Sequence, residues 1–158
     1  MLKLLPILFS VVVNIANVNI FEIEGIFSSG HINALERYIE EIDEEDNNLF
    51  IIQYNASDVN KNSITDLEIS LSNMDVPKAI WVGPNKTQID ISILKNFDFI
   101  GLSPGTTITS EEGFSALGDI CKTNSCENSK INITAEEGIY EEYLVVGSIG
   151  AFVENLGS

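Results

Sequence analysis

Few side chains in this chain have the type and spacing that chemistry needs. His31 is the single histidine, and it follows Ser28-Ser29-Gly30 at the start of a helical pattern, where an imidazole is expected to cap or face solvent rather than to catalyse or bind metal. Glu40, Glu41, Asp43, Glu44, Glu45 and Asp46 gather carboxylates without the alternating spacing and central glycine of a calcium loop. They read as a solvated face. Cys121 and Cys126 are the two cysteines and are expected to close a small disulfide loop in an oxidising compartment; one distant histidine does not complete a zinc site. Asn55-Ala56-Ser57, Asn85-Lys86-Thr87 and Asn132-Ile133-Thr134 fit the glycosylation sequon, a triplet that an Asn-rich chain also produces by chance. No cofactor is implied.

The elements that would position such groups centre on Lys78–Thr107. Ala79-Ile80-Trp81-Val82 and Phe99-Ile100-Gly101-Leu102 are short apolar runs, the first ending at Gly83-Pro84 and the second at Ser103-Pro104-Gly105-Thr106. Separated by one helical pattern, they read as a β-α-β unit with two parallel, doubly covered strands. In open α/β sheets, ligands and catalytic groups sit beyond the carboxyl ends of strands, so function is to be sought at those two turns. Upstream, Val18–Glu24 alternates and stops at Gly25, a first strand. Ser28 or Ser29 caps a helix whose apolar face is Ile32, Leu35, Ile39 and Ile42, and Leu49-Phe50-Ile51-Ile52 is a second buried strand. After a polar loop, Ser63-Ile64-Thr65-Asp66 matches a capping box opening a helix with Ile64, Leu67, Leu71 and Met74 on one face. Beyond Thr107 the sequence is polar and turn-rich until Thr134-Ala135-Glu136-Glu137, a capping-box match. A last strand is expected at Tyr143–Val146 and a last helix after Ser148, ended by Gly157.

With 158 residues and 44% hydrophobic composition, one domain with a substantial core is expected. Twenty-four acidic against 8 basic residues give a net charge of −16, which repels a phosphate backbone and disfavours nucleic acid. Lys3 precedes an apolar stretch to Val13, with Asn14 and Asn17 beyond it. Residues 1–17 thus read as a secretory signal peptide or membrane anchor, and residues 18–158 as an extracytoplasmic α/β domain.

The order of these elements, with Val76-Pro77-Lys78-Ala79-Ile80-Trp81-Val82-Gly83-Pro84, Phe97–Thr106 and Ile133-Thr134-Ala135-Glu136-Glu137-Gly138, resembles the ClpP/crotonase superfamily. Within it the chain looks most like the extracytoplasmic serine-protease domain of NfeD-type membrane proteins. The resemblance spans nearly the whole chain, and Ser103–Thr106 and Ile133–Gly138 are its most specific pieces. It implies a layered fold with a mostly parallel sheet and flanking helices. It also implies a serine nucleophile at the start of the helix after strand three, a buried lysine base, and glycine-rich oxyanion donors after strand two.

This sequence departs from that pattern at each point. The segment after strand two is Tyr54–Asn60, without glycine. The serine position falls near Gln88, whose carboxamide cannot be acylated, leaving Thr87 and Ser92 as weak substitutes. The base would come from the segment holding Lys122 and Lys130, both in polar loop sequence rather than on an apolar helix. The resemblance therefore implies a degenerate, non-catalytic homologue that binds a protein partner or assembles as a homo-oligomer, with an NfeD-type membrane protein as one candidate partner. The rival readings are a serine peptidase with a relocated nucleophile and lysine, and a crotonase-like acyl-CoA enzyme.

Overall fold

The computed structural model describes residues 17–42, 48–85, 87–110, 113–115, 130–134 and 140–156. The chain begins with β1 (Asn17–Phe27), α1 (Ser29–Glu40), β2 (Asn48–Val59), α2 (Lys61–Ser72) and β3 (Lys78–Val82). It continues through β4 (Gln88–Asp90), a single helical turn α3 (Ile91–Leu94), β5 (Phe99–Leu102), β6 (Thr107–Ser110) and β7 (Gly113–Ser115). The remaining elements are β8 (Lys130–Thr134), β9 (Tyr140–Val145) and α4 (Ile149–Leu156). A six-stranded sheet has the order β1-β2-β3-β5-β9-β8. Its first five strands are parallel and β8 runs antiparallel to β9. A smaller sheet has the order β4-β6-β7.

Both faces of the main sheet are covered, which is why its strands read as continuous apolar runs rather than as alternation. Phe50, Ile52 and Tyr54 of β2 point toward α1 and α2, joining Leu35, Leu67, Leu71, Ile80 and Val82 in one core. Leu49 and Ile51 point the other way and meet Ala79, Trp81, Val146 and Phe152. Each such side chain, fully buried, contributes roughly 1.5–3 kcal/mol. The second core closes tightly. The Trp81 indole N–H donates to the Val146 carbonyl at 3.0 Å, and a Cβ on Gly101 would lie 2.5 Å from the Phe152 ring, so only glycine lets α4 settle on β5. The Ser148 hydroxyl accepts from the Ala151 N–H at 3.1 Å, capping α4 as its sequence implies.

Several elements depart from their sequence signals. β1 does not stop at Gly25 but runs to Phe27, and β2 continues past Tyr54 to Val59. Pairing along β1 overrides the weak strand propensity of Asn55, Ser57 and Asp58. Ser57 is an extra residue in that ladder: Gly25 opposes Ala56 and Ile26 opposes Asp58, and Gly25 has a positive φ of 72°. α2 starts at Lys61, capped by the Asn60 side chain accepting from the Asn62 N–H at 3.1 Å; Ser63 is buried inside it. Thr134 is the last residue of β8, and the short acidic helix expected after it, at 135–139, lies outside the described residues. His31 accepts from the Ser28 N–H through Nδ1 at 3.3 Å, an imidazole in a helix-capping role. Among the described residues no helix is long and apolar enough to cross a membrane. Residues 1–16, Cys121, Lys122 and Cys126 lie outside the described residues.

Candidate functional site

Three turns converge beyond the carboxyl ends of β2, β3 and β5. The first is no open turn, because Asn55–Val59 stays in the ladder with β1. The second leaves β3 at Gly83, whose N–H donates to the Tyr54 carbonyl at 3.0 Å, and reaches Thr87 before β4. The third is Ser103-Pro104-Gly105-Thr106. The Thr106 N–H donates to the Ser103 carbonyl at 3.2 Å, Pro104 occupies the position it favours, and Gly105 takes the positive φ of 94° that the next position demands.

The hydroxyls of this region are tied up in structure. Thr106 Oγ1 donates to the Ser103 carbonyl at 2.8 Å, the Ser103 and Thr106 hydroxyls lie 3.2 Å apart, and both residues are buried. The Pro-Gly segment is thus a buried turn that hands the chain from β5 to β6. Thr87 is buried as well, its hydroxyl 3.1 Å from Asn55 Oδ1 and 2.9 Å from the Asn85 carbonyl. With one proton and two acceptors, it fastens the β3–β4 connection to β2. Ser92 donates through Oγ to Asp90 Oδ1 at 2.7 Å, and its N–H reaches the same oxygen at 2.9 Å. This is the N-cap of α3.

Among the described residues, neither Thr87 nor Ser92 hydrogen-bonds to a lysine or histidine that could act as a base. Gln88 is exposed on β4 rather than at a helix start. The reason is register: Ile89 is buried opposite Ile108 of β6, and Asp90, not the earlier Thr87, caps the helical turn. Lys130 opens β8, opposite Leu144 of β9, and so lies on a strand rather than in a loop.

What the geometry does bring together is a small open cleft of about 110 Å³ between β2, β4 and β6. It is lined by Tyr54, Ala56, Ser57, Asp58, Val59, Gln88, Asp90 and Thr109. Tyr54 is 2% exposed, and its ring packs edge-on against Phe27 with centroids 6.1 Å apart. Burial raises the pKa of its phenol far above the ordinary value, and the Asp90 and Asp58 carboxylates raise it further. The phenol stays neutral between two carboxylates. Asp58 Oδ1 accepts from the Val59 N–H at 2.8 Å, and Asp90 Oδ1 accepts from the Ser92 hydroxyl and N–H. No sequence signal marks this grouping, because Tyr54, Asp58 and Asp90 meet only through the register of two different sheets.

No family model matches the sequence, and no curated protein matches it. Solved structures do. The 1510-N membrane protease specific for a stomatin homolog from Pyrococcus horikoshii aligns with a TM-score of 0.58 and 20% identity, over 88% of this chain and 78% of that one. A serine-to-alanine variant of the 1510-N membrane-bound stomatin-specific protease aligns with a TM-score of 0.49 and 17% identity, over 88% of this chain. This chain spans only 59% of that variant's length. ClpP1 from Listeria monocytogenes aligns with a TM-score of 0.47 and 11% identity, over 65% of this chain and 60% of that one. The likeness to the first of these shows the fold: an α/β layer fold with a mostly parallel sheet and flanking helices.

Proposed function

We propose that this protein is an exported or membrane-anchored, non-catalytic homologue of an NfeD-type ClpP-class serine protease, acting by binding a protein partner or by assembly. The observation that carries the reading is the β1–β2 ladder through Ala56, Asp58 and Val59. Oxyanion stabilisation needs backbone N–H groups that a substrate can approach closely; here the segment after strand two is held along β1 on one edge and has no glycine to open the other. The exposed Gln88 near the serine position and the structural hydroxyls of Thr87 and Ser92 support the same conclusion. A fluorophosphonate probe tests it, since such a probe phosphonylates only an activated hydroxyl, with loss of fluoride. The expected result is no labelling and no turnover of an apolar peptide by the full chain. Labelling of Thr87 or Ser92, together with turnover, would sink the reading in favour of a relocated active site.

A further inference from the structure

We propose that Asn85 is the acceptor of an N-linked glycan, taken from a lipid diphosphate-linked oligosaccharide as the chain enters the secretory compartment. This goes beyond the reading of the protein as a non-catalytic binding module and rests on its export. Three asparagines stand in the triplet that such transfer requires, and the fold treats them differently. Asn55 lies within β2, paired with Glu24 of β1. It is half-buried, and the Thr87 hydroxyl lies 3.1 Å from its Oδ1. Asn132 lies within β8, opposite Glu142 of β9. Asn85 stands outside any strand, in the connection between β3 and β4, and is exposed. A glycan is bulky and hydrated, so its attachment point has to reach solvent without displacing a packed neighbour, and Asn85 meets that condition.

The rest of the triplet fits the same chemistry. Its middle residue is Lys86 rather than the proline that blocks transfer, and its third is Thr87, which supplies the hydroxyl that the transferase recognises. Transfer takes place as the chain emerges, before folding, so the burial of Thr87 in the finished protein does not withhold that hydroxyl. Once folded, the segment faces the protein interior with buried Thr87 and solvent with exposed Asn85, and the Thr87 hydroxyl holds the Asn85 carbonyl at 2.9 Å. In the transfer, the carboxamide nitrogen of Asn85 bonds to the anomeric carbon of the first sugar. The bond from that carbon to the diphosphate oxygen breaks, the lipid diphosphate leaves, and the nitrogen passes one proton to the transferase. Asn85 precedes Gln88 by three positions (88 − 85), beyond the carboxyl end of β3, the end of an open α/β sheet where ligands are taken. A sugar rooted there crowds an approach that a non-catalytic homologue does not need.

The test translates the full chain in a cell-free system containing endoplasmic-reticulum microsomes. Protection from added protease reports entry into the vesicles, and a mobility shift reversed by peptide-N-glycosidase reports the glycan. Enzymatic release in heavy-oxygen water leaves a mass label at the modified position, which mass spectrometry reads. The protected wild type should carry its label at Asn85. Asn85→Gln and Thr87→Val should each abolish it, and Thr87→Ser, which keeps a hydroxyl, should retain it. Asn55→Gln should leave the label at Asn85 unchanged. Because transfer precedes folding, a variant that folds poorly is still read. A protected wild type without a label at Asn85, or a label that survives Thr87→Val, overturns the proposal while leaving export standing. A wild type that stays outside the vesicles, open to protease, overturns export and the proposal together.

Discussion

Ala56 stands opposite Gly25 across a parallel ladder, and the next pair is Asp58 with Ile26. That one skipped residue turns the segment after strand two into paired strand and re-aims Asp58 beside Tyr54. A bulge of this kind bends a strand and redirects a side chain at small structural cost. The same few residues line the cleft beside Tyr54.

Gln88→Ser should leave peptide hydrolysis at background. The substitution supplies a hydroxyl on an exposed strand position but neither a base nor free N–H donors, and groups that act as a unit are strongly non-additive. Loss of one oxyanion donor alone typically costs about 100- to 1000-fold. Turnover assays on an apolar peptide with purified wild type and variant, with Lys122→Ala and Lys130→Ala as controls, check this.

Phe152→Ala should destabilise the fold by about 3–5 kcal/mol, the usual cost of removing a buried phenylalanine. Gly101→Ala should cost about 1–3 kcal/mol by overpacking against the same ring. Urea unfolding curves measure both. A Gly101→Ala, Phe152→Leu double variant that recovers part of the loss would confirm that the two residues share one contact.

Thr87→Val should cost on the order of 1 kcal/mol, the net worth of one hydrogen bond, with the Asn55 carboxamide left short of a donor. Asn55→Ala should cost no more, since Thr87 still reaches the Asn85 carbonyl. Thermal unfolding of the two variants gives the comparison.

Stability should fall as the pH rises above the ordinary phenol value of 10.0. The folded-state pKa of Tyr54 is raised, chiefly by burial and then by Asp90 and Asp58, so the folded protein keeps a proton that the unfolded chain releases. The stabilisation is complete below the unfolded-state pKa and is lost as the pH climbs toward the folded-state value. Tyr38, also raised by burial and by Glu41, adds to the same slope. Urea unfolding at about pH 8 and about pH 11 should show a smaller alkaline loss in Tyr54→Phe than in wild type.

The main parallel strands were legible because two-sided burial demands apolar runs: Leu49–Ile52, Ala79–Val82 and Phe99–Leu102 announce themselves. α1 and α4 were legible from their faces and from Ser28 and Ser148. The site was legible only as a place, the carboxyl ends of β2, β3 and β5, and as an absence of glycine after Tyr54. Its actual members were not. Asn55, Ser57 and Asp58 look like a loop until β1 pairs with them, and Gln88-Ile89-Asp90 looks like helix until Ile89 finds Ile108 of β6. Such short strands are decided by partners distant in sequence rather than by their own composition.

Among the described residues β1 is the outer strand of the main sheet, and its solvent-facing row carries Val18 and Ile20, which are 36% and 40% exposed, followed by exposed Glu22 and Glu24. An open strand with apolar side chains invites another molecule to zip onto it and seed fibrils. In antiparallel self-pairing centred on this row, Glu24 and Glu22 of each molecule would face Val18 and Ile20 of the other, and the twist at Gly25 spoils a flat fit. Two carboxylates and one irregular step thus oppose stacking of copies along this edge.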